Sequence, residues 1–129
     1  MVEVDDRPSK LAETLKKKTV GVTKSTHECA GVVTKAIEEA LGISFTRPEK
    51  KSAKYYGAGL IAAGFEEGAS PPYQPGDVRI YQEWTNNGHG HMQMYVGDGQ
   101  WTSDFIQPNE HPNQAAAKVS YKTYRLKKK

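Results

Sequence analysis

Cys29 is the one thiol in this chain of 129 residues, and four histidines, His27, His89, His91 and His111, are the imidazoles that could serve it as a base. A thiol attacks carbon only as thiolate, so its surroundings decide whether it is a nucleophile. Ser25-Thr26-His27-Glu28 has capping-box spacing, which places Cys29 in the first turn of a helix. The positive end of the helix dipole and its unpaired N–H groups there favour the thiolate and predict a pKa below the usual value of about 8.5. A free cysteine is also a common inert packing residue, so position alone does not decide between reagent and filler.

The base must be held on something rigid. His27 stands two residues from Cys29 and points elsewhere on a helix start, and His111 falls in a Pro- and Asn-rich loop. His89 and His91 flank Gly90 immediately before His91-Met92-Gln93-Met94-Tyr95-Val96, where Met92, Met94 and Val96 alternate as a core face and His91 takes the other. His91 is the candidate base. His89 is expected in the loop, with Gln93 on the histidine face, both as substrate contacts.

A third group must orient the ring. Asp98-Gly99 between alternating runs is a two-residue hairpin signal. Pairing Gly97 with Gln100 sets Gln93 opposite Asp104 and makes Asp104 a diagonal neighbour of His91, about 7 to 8 Å away along the backbone. Asp104 is then the expected orienting carboxylate, although a register slipped by one residue brings Ser103 to that face. Alone, Asp104 also reads as a solvated strand-end carboxylate.

The elements that must carry these residues are legible from periodicity. Pro8 to Lys18 predicts a short helix with Leu11 and Leu15 on one side, and 25–41 predicts a longer one with Ala30, Val33, Ile37, Ala40 and Leu41 inward and Gly42 as its cap. A third helix is expected over about 52–63, weakened by Gly57 and Gly59. After Pro71-Pro72 and Pro75-Gly76 the period changes to two: Val78 with Ile80, then 91–96, 101–105 and 119–124 read as strands. Helices followed by an antiparallel sheet make an α+β domain, and 129 residues suit one domain over 1–129, with 127–129 as a frayed tail.

A formal charge of +3, concentrated in Lys16-Lys17-Lys18 and Lys127-Lys128-Lys129, reads as a solvated face and a tail. Basic residues interleaved with stacking aromatics are lacking, so no nucleic-acid partner is expected. One cysteine excludes an internal disulfide and four-cysteine zinc patterns. His27-x-Cys29 with His89-x-His91 leaves a zinc-binding module as one competing reading and a non-catalytic interaction module as another. No cofactor or metal is expected. Apolar runs stay far below the ~18 residues of a membrane span, so no stable membrane insertion is expected. The start, residues 1–6, lacks the basic and apolar regions of a leader, so synthesis in the cytoplasm without a signal peptide is expected.

Four segments in order, Ser25-Thr26-His27-Glu28-Cys29-Ala30-Gly31-Val32-Val33, Pro75-Gly76-Asp77-Val78, Gly90 to Gly99 and Trp101-Thr102-Ser103-Asp104-Phe105, resemble the CHAP and NlpC/P60 peptidoglycan hydrolases over roughly 25–107. The resemblance implies a papain-like core and a Cys29, His91, Asp104 triad cutting an amide bond in the peptide stem of the wall. Met92-Gln93-Met94 departs from the smaller aliphatic residues common there. The small size is similar to that of amidase effectors delivered to the periplasm or wall of a rival bacterium, and a phage lysin is also compatible. Such effectors imply a cognate immunity protein. The same triad would also support deamidation or acyl transfer on a protein inside a target cell.

Overall fold

The computed structural model describes residues 4–129, so the first residues of the segment read for a leader, 1–3, lie outside it. Three helices, α1 (Arg7–Lys18), α2 (Cys29–Leu41) and α3 (Gly57–Ala62), precede or interleave with five strands: β1 (Phe65–Glu67), β2 (Val78–Tyr81), β3 (His91–Gly97), β4 (Gln100–Thr102) and β5 (Tyr121–Leu126). The strands form one antiparallel sheet in the order β1-β5-β2-β3-β4. This is the expected α+β layering of helices on an antiparallel sheet.

Pro8 sits in the first turn of α1, where its missing N–H costs nothing, and Lys16, Lys17 and Lys18 lie in the last turn against the negative dipole end. Leu11, Ala12 and Leu15 of α1 and Ala30, Val33, Ala36 and Ile37 of α2 are buried against Met92, Met94 and Val96 of β3 in one apolar core. Gly42 ends α2 at φ 68°, and its N–H donates to the Glu38 carbonyl. Where one helix was expected over 52–63, the chain makes a 3-10 turn (Ala53–Tyr55) and then the short α3. Within α3 the backbone at Gly59 approaches closely: a Cβ there would collide with the Thr46 carbonyl and the Phe45 ring.

The opposite face of the sheet is not solvated. Arg79, Tyr81 and Gln93 are fully buried on it, beneath the chain that runs from Ser103 to Tyr121. Among the described residues no helix is long and apolar enough to cross a membrane. Within the stretch expected as a frayed tail, Lys127 is tied to the fold. Lys127 donates its N–H to the Gly64 carbonyl at 3.0 Å and accepts from Arg7 Nη2 at 2.8 Å.

One irregularity matters for the site. Gly97 pairs with Gln100 across the Asp98-Gly99 turn as expected, but a bulge follows, and Tyr95 pairs with Trp101 and Met94 with Thr102. The register is therefore displaced by one residue from there on. β4 then stops at Thr102, the chain doubles back through a Thr102–Ile106 bridge, and the Gln107 N–H donates to the Trp101 carbonyl. The strand expected over 101–105 is thus a three-residue strand followed by a tight loop.

Candidate active site

Cys29 is the first residue of α2, and His91 is the first of β3, the strand on which α2 packs. Both line a cleft of about 310 Å³, together with His27, Lys51, Tyr56 and His89. Helix layer and sheet layer each deliver one reactive group to the same hollow.

The α2 entry is held differently from a capping box. Glu28 at the N-cap makes no side-chain cap bond, and Ser25 Oγ accepts the N–H of His27, not one three residues on. The cap comes from Asp104. Its Oδ2 accepts from the Thr26 N–H (2.6 Å), the Thr26 hydroxyl (2.9 Å), the Ser25 hydroxyl (3.1 Å) and the Glu28 N–H (3.1 Å). Ser103 donates its hydroxyl to the other oxygen at 3.2 Å. Burial alone would raise the Asp104 pKa, but the N–H groups of Glu28 and Thr26 and the two hydroxyls outweigh it and hold the carboxyl below its usual range. His27, in this braced segment, takes φ 64°, a left-handed conformation rare for a residue with a side chain.

Asp104 therefore braces the loop that leads into Cys29, and the position beside the His91 ring expected for it is occupied by Gln107. Gln107 Oε1 lies 2.8 Å from His91 Nε2. The bulge in the β3–β4 register explains the exchange, because it moves the residue expected opposite Gln93 out of line. Gln107 gave no sequence signal: it follows the last strand residue by five positions, in a stretch that reads as loop. A carboxylate beside a histidine run attracts notice, and an amide does not.

The proton position on His91 follows from the end of a chain of bonds. The Glu110 main-chain carbonyl, which can only accept, receives Gln93 Nε2 at 2.8 Å. Gln93 Oε1 consequently faces Gln107 and accepts its Nε2 at 2.9 Å, which leaves Gln107 Oε1 for His91. An amide oxygen requires a donor, so Nε2 carries the ring hydrogen and Nδ1 holds the lone pair. Gln93 is fully buried in this chain, which replaces the expected substrate contact with a supporting role.

His89, expected in a flexible loop, is exposed on the cleft rim yet tied. Its Nδ1 lies 2.7 Å from Ser52 Oγ, its N–H donates to Asn87 Oδ1, and its carbonyl accepts the Lys54 N–H. His111 is far from the thiol's loop in sequence and bonds Tyr81 on the outer sheet face, Nδ1 to hydroxyl at 2.7 Å.

The thiol departs from expectation in its electrostatics. Burial pushes the Cys29 pKa up, and the nearby Asp104 charge adds to this, while the N–H groups of Met92, Ala30 and Cys29 itself pull the other way. The helix-start effect is real but smaller than the cost of burying a charge. Burial likewise lowers the His91 pKa, against the opposing pull of Gln107 and Asp104. Both directions favour the uncharged thiol and the neutral imidazole. Among the described residues no three His, Cys, Asp or Glu side chains group as metal ligands.

No family model and no curated protein matches the chain. Among solved structures it is similar to the type VI native effector-immunity complex Tae3–Tai3 from Ralstonia pickettii, with 39% identity and a TM-score of 0.81 over 93% of this chain and 98% of that one. The selenomethionine form of that complex gives 41% identity and a TM-score of 0.77 over 89% and 98%. A third structure, that of Ly7917, shares the fold at a TM-score of 0.60 and 15% identity, over 90% of this chain and 61% of that one.

Proposed function

This chain belongs to the family of the type VI effector Tae3, and from that premise we propose that it is an antibacterial effector that hydrolyses an amide bond in peptidoglycan, with Cys29 as nucleophile and His91 as base. The observation that carries the chemistry is the fixed imidazole: Nε2 bonded to Gln107 with Nδ1 left as acceptor, in the cleft that Cys29 lines. The resemblance of the Cys29 and His91 segments to wall hydrolases supplies the substrate class.

In this reading the Cys29 proton passes to His91 Nδ1 as sulfur attacks the carbonyl carbon of the scissile amide. The electron pair moves to the carbonyl oxygen and returns as the C–N bond breaks, and the leaving nitrogen takes the proton from His91. The acyl thioester is cleared by water, deprotonated at the same nitrogen, which frees the acid and restores the thiol. N–H groups directed at the sulfur lessen the cost of forming thiolate that burial imposes. Gln107 holds the ring through both halves.

The partner in this reading is a cognate immunity protein that covers the cleft, in keeping with the effector-immunity complexes to which the chain is similar. The compartment is the periplasm or wall of a target cell. Purified protein incubated with sacculi should release peptide fragments identifiable by mass spectrometry, and Cys29→Ala should release none. Intact sacculi after prolonged incubation with the folded protein would sink the proposal.

A further inference from the structure

On the sheet face turned away from the helices, β2 buries an arginine completely. The Arg79 guanidinium carbon lies 4.2 Å from the Tyr121 ring centroid, 4.4 Å from Trp101 and 5.0 Å from Tyr73. Burying a cation is costly unless it is paired and hydrogen-bonded. Arg79 Nε donates to Thr123 Oγ1 at 3.0 Å and Nη1 to Glu110 Oε2 at 2.7 Å, while Nη2 has no hydrogen-bond partner among the described residues. An aromatic box of this kind would hold a methionine or leucine without that cost. What the guanidinium adds is a fixed grip on Glu110.

Glu110 is also where the amide chain ends. Its carbonyl accepts Gln93 Nε2 at 2.8 Å and stands 3.4 Å from Gln107 Nε2 and from the Tyr81 hydroxyl. We propose that Arg79, Glu110 and Gln93 are positioning residues for the base: the buried arginine docks Glu110 so that its main-chain carbonyl fixes the direction of both amides and thereby the tautomer of His91. A reversed Gln93 would set oxygen against the Glu110 carbonyl and –NH₂ against the –NH₂ of Gln107. Gln107 would then reverse too and present a donor to Nε2, which moves the ring hydrogen to Nδ1 and removes the acceptor that the thiol needs. The box thus acts on the His91 ring through Glu110, Gln93 and Gln107.

The kinetic part rests on the hydrolase reading, whereas the tautomer is a property of the free protein. Nitrogen-15 shifts of His91 at neutral pH should report the Nε2–H form in the wild type. Glu110→Ala, whose side chain is half-exposed and so spares the core, and Arg79→Met should each shift the signals toward a tautomer mixture. They should lower kcat on sacculi by between about tenfold and a hundredfold, with KM little changed, the cost of a misplaced reacting group. Arg79→Lys should restore part of both. If Arg79→Met does not fold, Glu110→Ala decides. A folded Glu110→Ala protein with the wild-type tautomer overturns the proposal. Tautomers that move as expected in a protein that digests no sacculi support it and defeat the hydrolase reading alone.

Discussion

At the residue scale the division of labour is testable by truncation. Cys29→Ala should keep the fold and release no fragment, and His91→Ala should behave likewise, because no other imidazole in the cleft is anchored through Gln107. His89→Ala should only reduce the rate, since that ring is held on the rim by Ser52. Equal loss from the two histidines, measured as initial rates of fragment release, would count against the assignment. The lowered His91 pKa has a kinetic sign. In the proposed mechanism the neutral ring is the base, so activity should persist in acid to below the ordinary histidine value of 6.5 and fall only as the pH passes through the depressed pKa. An acid limb centred above 6.5 contradicts the burial of that ring.

At the element scale the entry to α2 depends on one carboxylate from the loop that follows β4. Asp104→Asn replaces an acceptor of five donors by a group with two donors of its own, and should cost about 1–3 kcal/mol while lowering activity through the loop that leads into Cys29. Because the folded pKa of Asp104 is depressed, its contribution is present above the ordinary carboxylate value of 3.8 and is lost as the pH falls through the folded value. Melting temperatures of wild type and Asp104→Asn should therefore converge on acidification, and parallel curves would refute the brace. α1, α2, β2 and β3 are legible because their apolar spacing is strict, and Cys29 and His91 because they open such elements, whereas the helix expected over 52–63 is broken into a 3-10 turn and the short α3. The orienter is not legible. It depends on the β3–β4 bulge and on an early strand end, and neither leaves a mark in the alternation of Trp101-Thr102-Ser103-Asp104-Phe105. β1 was missed because three residues, only one of them buried, carry too little pattern.

At the scale of the molecule the target's compartment is open to test. Synthesis in a bacterial cytoplasm should be tolerated, whereas the same chain exported to the periplasm should round or lyse the cells, with Cys29→Ala harmless in both places. Killing from the cytoplasm alone would point to an intracellular protein substrate. The two reactive groups come from different layers, α2 and β3, yet Asp104 bonds the loop that carries one and Gln107, three residues later, bonds the other. In the proposed mechanism that short stretch would act as a caliper, tied to the loop before Cys29 at one end and to His91 at the other, with Ile106 between Asp104 and Gln107 pinned by its N–H to the Val22 carbonyl at 2.9 Å. One glycine inserted between Phe105 and Ile106 should leave the melting point nearly unchanged and the enzyme idle, a molecule whose parts are all present and whose jaws no longer meet.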